Sequence, residues 1–322
     1  MQAVPPLQFN SFSESLIPAV QALVAVPLRF DVSGSSLTTF AIGGALRAVV
    51  TVDTVQELAH VLALLHREGQ PVRVLGNGSN VLVSDAGLNE WIVKLGAGLK
   101  RIEVDGSRFE VFGAASLMSF ARRASDDGFS GLEFAAGIPA SIGGAVFMNA
   151  GAHGAEISSR VALVRGVMED GSLCEWKRDE LPWRYRFSGL PVGAMVTSVV
   201  LDLVQGDKET IARKCSENLA ARRATQPLAL PSAGSVFKNP SPQRPAGMIL
   251  EALGMKGHVI GGAAVSDLHA NWIVNPKREG TARDVLALIE LCRQKARAEG
   301  GIELEPEVKI WTSRASTNSD NK

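Results

Sequence analysis

One tyrosine and three cysteines occur among 322 residues, and 33 basic side chains are balanced by 33 acidic ones. Each shortage excludes something. With zero net charge there is no global field to recruit nucleic acid or an anionic membrane, and no acidic excess of the disordered kind. Cys174, Cys215 and Cys292 lie far apart and form no CxxC or Cys/His cluster, so neither a thiol redox pair nor a zinc site is expected. A reducing, cytoplasmic setting is the plain expectation. No HExxH or carboxylate cluster supports a metal. The opening MQAVPPLQFN lacks a basic stretch followed by an apolar one, which argues against a signal peptide. The longest uncharged run lies between Glu133 and Glu156, and its glycines and Pro139 would break a lipid-facing helix. Glycine, by contrast, is plentiful: 32 residues, against an average of about 7%.

The length predicts two or three units. Ala48–Val52, a helix from Asp53 or Thr54 carrying Val55, Leu58, Ala59, Leu62 and Leu65, and Val72–Leu75 make a β-α-β start. From Gly76 to about Gln205 short β-rich runs follow, with hairpin signals at Asp105-Gly106 and Asp170-Gly171 and one helix from Ser116 to about Asp127. A helix begins after Gly206-Asp207, and a last one follows the Thr281-Ala-Arg-Asp284 capping pattern. The expected class is α+β, with units at 1–75, 76–205 and 206–311 and a frayed tail at 312–322.

Several segments carry chemistry. Leu75-Gly76-Asn77-Gly78-Ser79-Asn80 follows a strand and reads as an anion nest or an ordinary turn. Within Glu133–Ala152, Gly137, Gly143, Gly144 and Gly151 let backbone approach a ligand, with Ser141 and Asn149 as polar contacts; a close-packed helix start reads equally well. Trp183-Arg184-Tyr185-Arg186-Phe187-Ser188 offers guanidinium groups for a carboxylate or a solvated strand edge. Pro231–Pro240 holds Ser235 and Lys238 in a loop without a nucleophile elbow. Glu305 and Glu307 alternate onto one face of an extended segment.

In this order, GNGSN, GIPASIGGAVFMNAGA, YRFS, PSAGSVFKNP, GGAAVSDLHANWIVN and LEPEV closely resemble the UDP-N-acetylenolpyruvoylglucosamine reductase family, over roughly Thr38 to Ile310. The resemblance implies an FAD-binding fold of the vanillyl-alcohol-oxidase type in two subdomains, followed by a substrate domain. It implies noncovalent FAD, held by residues 75–80 and by Gly137, Ile138, Pro139, Ser141, Ile142, Gly143, Gly144, Asn149 and Gly151. NADPH would be the hydride donor, and the enolpyruvyl ether of UDP-N-acetylglucosamine the acceptor at its C3. Arg186 and Glu307 would stabilise the resulting charge, and Ser235 would protonate C2.

Ser235 follows Arg186 by only 49 positions, with no tyrosine between them, which looks like the family's short form. Tyr185, Arg223, Gln226, Lys238, Asn239 and Asn271 are then the expected substrate contacts. A monomer or weak oligomer is expected. One departure stands out: Ala41 precedes Ile-Gly-Gly where the family commonly has a basic residue. Another flavin oxidoreductase of the same fold, or a catalytically idle nucleotide-binding protein, are the rival readings.

Overall fold

The computed structural model describes residues 12–313; MQAVPPLQFN and residues 314–322 of the tail lie outside the described residues. The helix Val55–Arg67 starts at Thr54, whose backbone is extended and whose side chain accepts the Glu57 N–H, and it buries Leu58, Val61, Leu62 and Leu65. That face covers a four-stranded sheet in the order Arg29–Ser33, Ala45–Val52, Leu88–Leu95, Val72–Val74, the last three parallel. The boundary expected at residue 75 therefore does not hold. Leu88–Leu95 is a central strand, with Trp91, Ile92 and Val93 fully buried, and hydrogen bonding to both neighbours places it in the first unit.

The second unit is a five-stranded antiparallel sheet, ordered Leu173–Lys177, Val161–Val167, Met195–Asp202, Arg108–Phe112, Ile102–Asp105. Both hairpin signals are borne out, and Gly106 and Gly171 take the positive φ these turns require. Ser116 caps the helix Leu117–Asp126, which packs on this sheet through Leu117, Phe120 and Ala124. The uncharged run folds as turns around the short helix Ile142–Phe147. Among the described residues no helix is long and apolar enough to cross a membrane.

The boundary expected at residue 206 is also crossed. Asp207 caps the helix Lys208–Thr225, but this helix lies against Leu117–Asp126 and the turn Glu133–Ala135 of the second unit, and Asn218 Nδ2 donates to Glu133 O at 3.0 Å. Gly206-Asp207 marks the start of a helix rather than of a unit.

The third unit pairs Ser232–Ser235, Trp272–Val274, Ala263–Val265 and Val259–Ile260 antiparallel, under the helix Ala282–Gly300. The Thr281/Asp284 capping box forms as read from the sequence. Cys292 sits in this core, and burial pushes its thiol up to about 12, so it is inert packing. The third unit is tied back to the first. Lys309–Trp311 pairs parallel with Val81–Val83, and Asp85 accepts the N–H groups of Ala282 and Arg283 at 2.7 and 3.0 Å. These ties bring residues far apart in sequence to one cleft.

Candidate active site

The three units enclose a cleft of about 1640 Å³. The two glycine-rich segments meet on its wall. A Cβ on Gly76 would lie 2.4 Å from Ser141 Oγ, and Asn77 Nδ2 donates to Pro139 O at 3.3 Å. The amides of Gly76 to Asn80 donate to no protein acceptor among the described residues, and all five residues line the cleft. Successive unused N–H groups, with Gly78 at φ +65°, have the arrangement that the anion-nest reading of this loop requires. A Cβ at Gly78 would lie 2.2 Å from Leu37 O. We expect Gly78→Ala to lower the melting temperature and to yield protein depleted in dinucleotide, read as lost visible absorbance after purification.

The second segment behaves differently. Its helix-start amides are already used: Ile142 N–H on Ala115 O, Gly143 N–H on Gly113 O and Gly144 N–H on Ser141 Oγ. Ile138, Pro139, Ser141, Gly143, Gly144 and Gly151 line the cleft, but Ile142 is wholly in the core. Asn149 is fully buried, donating to Glu156 Oε2 and Arg184 O and accepting from Ser158 N–H. Its polar atoms are spent inside the protein, so it shapes the segment rather than touching a ligand. Gly137 lies under the Arg222 side chain.

Lys94, which sequence reading missed, reaches this loop from the central strand of the first sheet. Its Nζ donates to Gly76 O at 2.6 Å and Leu75 O at 3.3 Å. Burial, with Arg29 and Lys100 adding repulsion, brings its pKa down to about 8. A lysine with a folded pKa below its unfolded value costs the empty protein stability below about pH 8. That cost fades as pH rises from about 8 toward 10.5. A diphosphate nearby favours the charged form, so FAD affinity is expected to fall as pH is raised through this window. Fluorescence titration of apoprotein checks it: Lys94→Met should bind more weakly at pH 7 and lose the pH dependence. A flat profile in the unsubstituted protein would rule out the role.

The catalytic candidates converge. Arg184 and Phe187 exchange two 2.9 Å backbone bonds, closing a turn in which Arg186 adopts φ +56°. Such a conformation is uncommon for a residue other than glycine and costs of order 1 kcal/mol or more. It presents the guanidinium to the cleft, stacked 4.8 Å from the Tyr185 ring, with Nε donating to Glu307 Oε1 at 2.7 Å. Burial pushes the Glu307 carboxyl above its usual range despite the pull of Arg186. Its Oε2 is buried without a partner among the described residues. Gly234, at φ +77°, interrupts the pairing register of Ser232–Ser235, and Ser235 lines the cleft, its hydroxyl making no hydrogen bond among the described residues. The Glu307 N–H donates to Val236 O at 2.7 Å, locking the two segments side by side.

The expected substrate residues divide. Gln226 and Asn239 line the cleft, and Gln226 Oε1 is buried and unbonded. Asn271 also lines it, yet its side chain both accepts from Phe237 N–H and donates to Phe237 O at 2.9 Å, clamping the strand beyond Ser235. Tyr185 OH accepts from Asn239 N–H, and Lys238 pairs with Glu305. Arg223 is exposed and outside the cleft, whereas its neighbour Arg222 lines it. His269 also lines the cleft; its Nδ1 accepts the Asn271 N–H, and burial lowers its pKa, with Lys256 adding to the shift. Ala41, the position that lacks the basic residue, takes φ +55° at the cleft wall, and Asn275 Nδ2 donates to its carbonyl at 3.3 Å. Among the described residues no group of three His, Cys, Asp or Glu could hold a metal.

Comparison with known proteins shows the family. Residues 226–311 match the family model for the C-terminal domain of UDP-N-acetylenolpyruvoylglucosamine reductase, and residues 45–177 match an FAD binding domain. The chain is 42% identical over 276 residues to the UDP-N-acetylenolpyruvoylglucosamine reductase of Bacillus velezensis, covering 85% of this chain and 90% of that protein. It is 40% identical over 302 residues to that of Halalkalibacterium halodurans, covering 94% of this chain and all of the relative. The crystal structure of the reductase from Thermus caldophilus aligns with a TM-score of 0.78 at 35% identity, over 88% of this chain and 100% of that one.

Proposed function

The chain belongs to the UDP-N-acetylenolpyruvoylglucosamine reductase family, and from that premise we propose that it uses NADPH and noncovalent FAD to reduce the enolpyruvyl ether of UDP-N-acetylglucosamine to UDP-N-acetylmuramate, a step of peptidoglycan precursor synthesis. Its architecture is the two-subdomain FAD-binding fold of the vanillyl-alcohol-oxidase type with a C-terminal domain. One observation carries the reading: the Arg186–Glu307 pair and the unbonded Ser235 hydroxyl open onto the same cleft as the unused amides of residues 76–80.

The residues present fit FAD. A nest of five free N–H groups suits a diphosphate, Lys94 adds positive charge behind it, and Gly78 leaves no room for a side chain. When bound, the flavin supplies the hydride chemistry that no side chain can. The protein's part is to manage charge. Hydride arriving at C3 of the substrate leaves negative charge on C2 and its carboxylate, which calls for a cation and an acid. Arg186 is the cation, held by Glu307 in a turn it would not adopt unaided. Glu307, whose carboxyl burial pushes above its usual range, faces the same charge and orients the Arg186 guanidinium through the bond from Nε to its Oε1. Ser235 gives its proton to C2, a transfer feasible for so weak an acid because the carbanionic acceptor is strongly basic.

The short-form reading fits a substrate end bounded by Gln226 and Asn239 rather than by a tyrosine lid. The test is anaerobic. Holoprotein reduced with one equivalent of NADPH is expected to regain its oxidised spectrum when the enolpyruvyl nucleotide-sugar is added without oxygen. A spectrum that stays reduced would leave only the fold and FAD binding.

A further inference from the structure

Thr39, on the cleft wall, joins the glycine loop to the strand that carries Ser235. Its backbone N–H donates to Gly78 O at 3.2 Å. On the other side, Ser232 N–H donates to Thr39 O at 3.1 Å, and the Thr39 hydroxyl donates to Ser232 O at 2.7 Å. The sheet explains why Ser232 turns this way. Pro231 O accepts the Asn275 N–H, so Ser232 and Val274 are a non-hydrogen-bonded pair, and the N–H and C=O of Ser232 point away from Trp272–Val274. Both are left for Thr39. That residue meets two carbonyls with a single backbone N–H, and its hydroxyl is the second donor. The hydroxyl also lies 3.4 Å from Gly78 O, but its one proton serves the shorter contact. Ser232 is buried, so its carbonyl would have no water to replace this donor.

The far end of the same loop holds the other segment of the site. Asn80 Nδ2 donates to Glu307 O at 3.3 Å, and Asn80 O accepts the Lys309 N–H at 3.0 Å. The loop therefore has two faces. Its amides open on the cleft with no acceptor among the described residues, while the carbonyl oxygens of Gly78 and Asn80 are spent on the segments that bear Ser235 and Glu307. We propose that Thr39 is a positioning residue: through its hydroxyl, an anion seated on the amides of residues 76–80 fixes the register of the Ser235 strand, so that filling the cofactor site orders the proton donor. The proposal rests on the function argued above and names a residue that acts through Ser235.

Amide hydrogen exchange on the full-length protein, with and without FAD, tests the tie apart from turnover. In the unsubstituted protein FAD is expected to slow exchange at 232–236 and at 307–309 by about 10-fold or more, because a ligand that holds the loop suppresses opening of whatever is bonded to it. Thr39→Val exchanges the hydroxyl for a methyl group. The slowing should vanish at 232–236 and persist at 307–309, which Asn80 holds independently. In stopped flow, reoxidation of the variant by the enolpyruvyl nucleotide-sugar should be slower by about 10- to 100-fold, the scale of a misplaced reacting group, with FAD content and reduction by NADPH near the parent. Thr39→Ser keeps a hydroxyl and should restore both readouts, which separates the lost bond from a folding defect. The proposal is overturned if the slowing at 232–236 survives in Thr39→Val, if the only loss is in FAD affinity, or if the serine variant restores nothing. A parent protein whose reduced flavin is not reoxidised by the nucleotide-sugar would overturn the underlying function instead, and the exchange pattern would still judge the tie.

Discussion

Ser235→Ala is expected to slow reoxidation of the reduced holoprotein by the enolpyruvyl nucleotide-sugar by roughly 10²- to 10⁴-fold, the usual worth of a placed general acid. Reduction by NADPH should be unaffected. The split follows from the geometry. Among the described residues the Ser235 hydroxyl has no partner to lose, so its removal leaves the strand, the Gly234 kink and the Val236 bond to Glu307 in place. Only the proton for C2 disappears, and no proton is needed in the NADPH half. Stopped-flow measurement of each half-reaction separates them. Equal reoxidation in variant and parent would remove Ser235 from the mechanism, and a matching loss in both halves would point to a disturbed site rather than a missing acid.

Glu307→Gln should lower turnover by roughly 10²- to 10³-fold, the scale seen when one stabiliser of a developing oxyanion is lost. The amide oxygen can still accept from Arg186 Nε, so the strained turn is retained and the change is confined to charge and to the Oε2 position. Truncation to alanine would be a poorer test, since an arginine left unpaired in a shielded site costs several kcal/mol of stability. Glu305→Gln is the control. The two carboxylates alternate onto one face in the sequence reading, but Glu305 is 69% exposed and pairs with Lys238, whereas the Glu307 side chain is 12% exposed. A solvent-screened pair of the first kind is worth about 0–1 kcal/mol, so Glu305→Gln should stay near parent activity. Comparable losses at both positions would show that the segment matters as a whole and that Glu307 has no special role.

The fold was legible wherever the signal was local. Thr54, Ser116 and Thr281 cap helices as their side chains predict, and Asp105-Gly106 and Asp170-Gly171 close hairpins because both require a residue tolerant of positive φ. The unit boundaries were not legible. Leu88–Leu95 is a strand by its own pattern, but which sheet it joins depends on hydrogen-bond partners at Ala45–Val52 and Val72–Val74. Similarly, the helix Lys208–Thr225 is mostly polar, and its few apolar contacts do not announce that it packs backward onto the second unit.

At the site the same division holds. Arg186, Ser235, Glu307 and the glycine loop at 76–80 were nameable as candidates from ordered motifs, because those signals are carried by consecutive residues. Polar satisfaction is not so carried. Asn149 and Asn271 have the side chains of ligand contacts, yet their atoms are used by Glu156, Arg184, Ser158 and Phe237. Lys94 looks like one polar position in an apolar strand until Leu75 and Gly76 are seen to lie under its ammonium. Arg222 and Arg223 are chemically identical neighbours, and successive helical residues point about 100° apart, so only the packing of their helix against Gly137 decides which one enters the cleft. The sequence by itself determined the local elements and the order of the chemical groups; tertiary structure alone decided which of those groups remain unpaired and face a common space, because that depends on partners contributed from elsewhere in the chain.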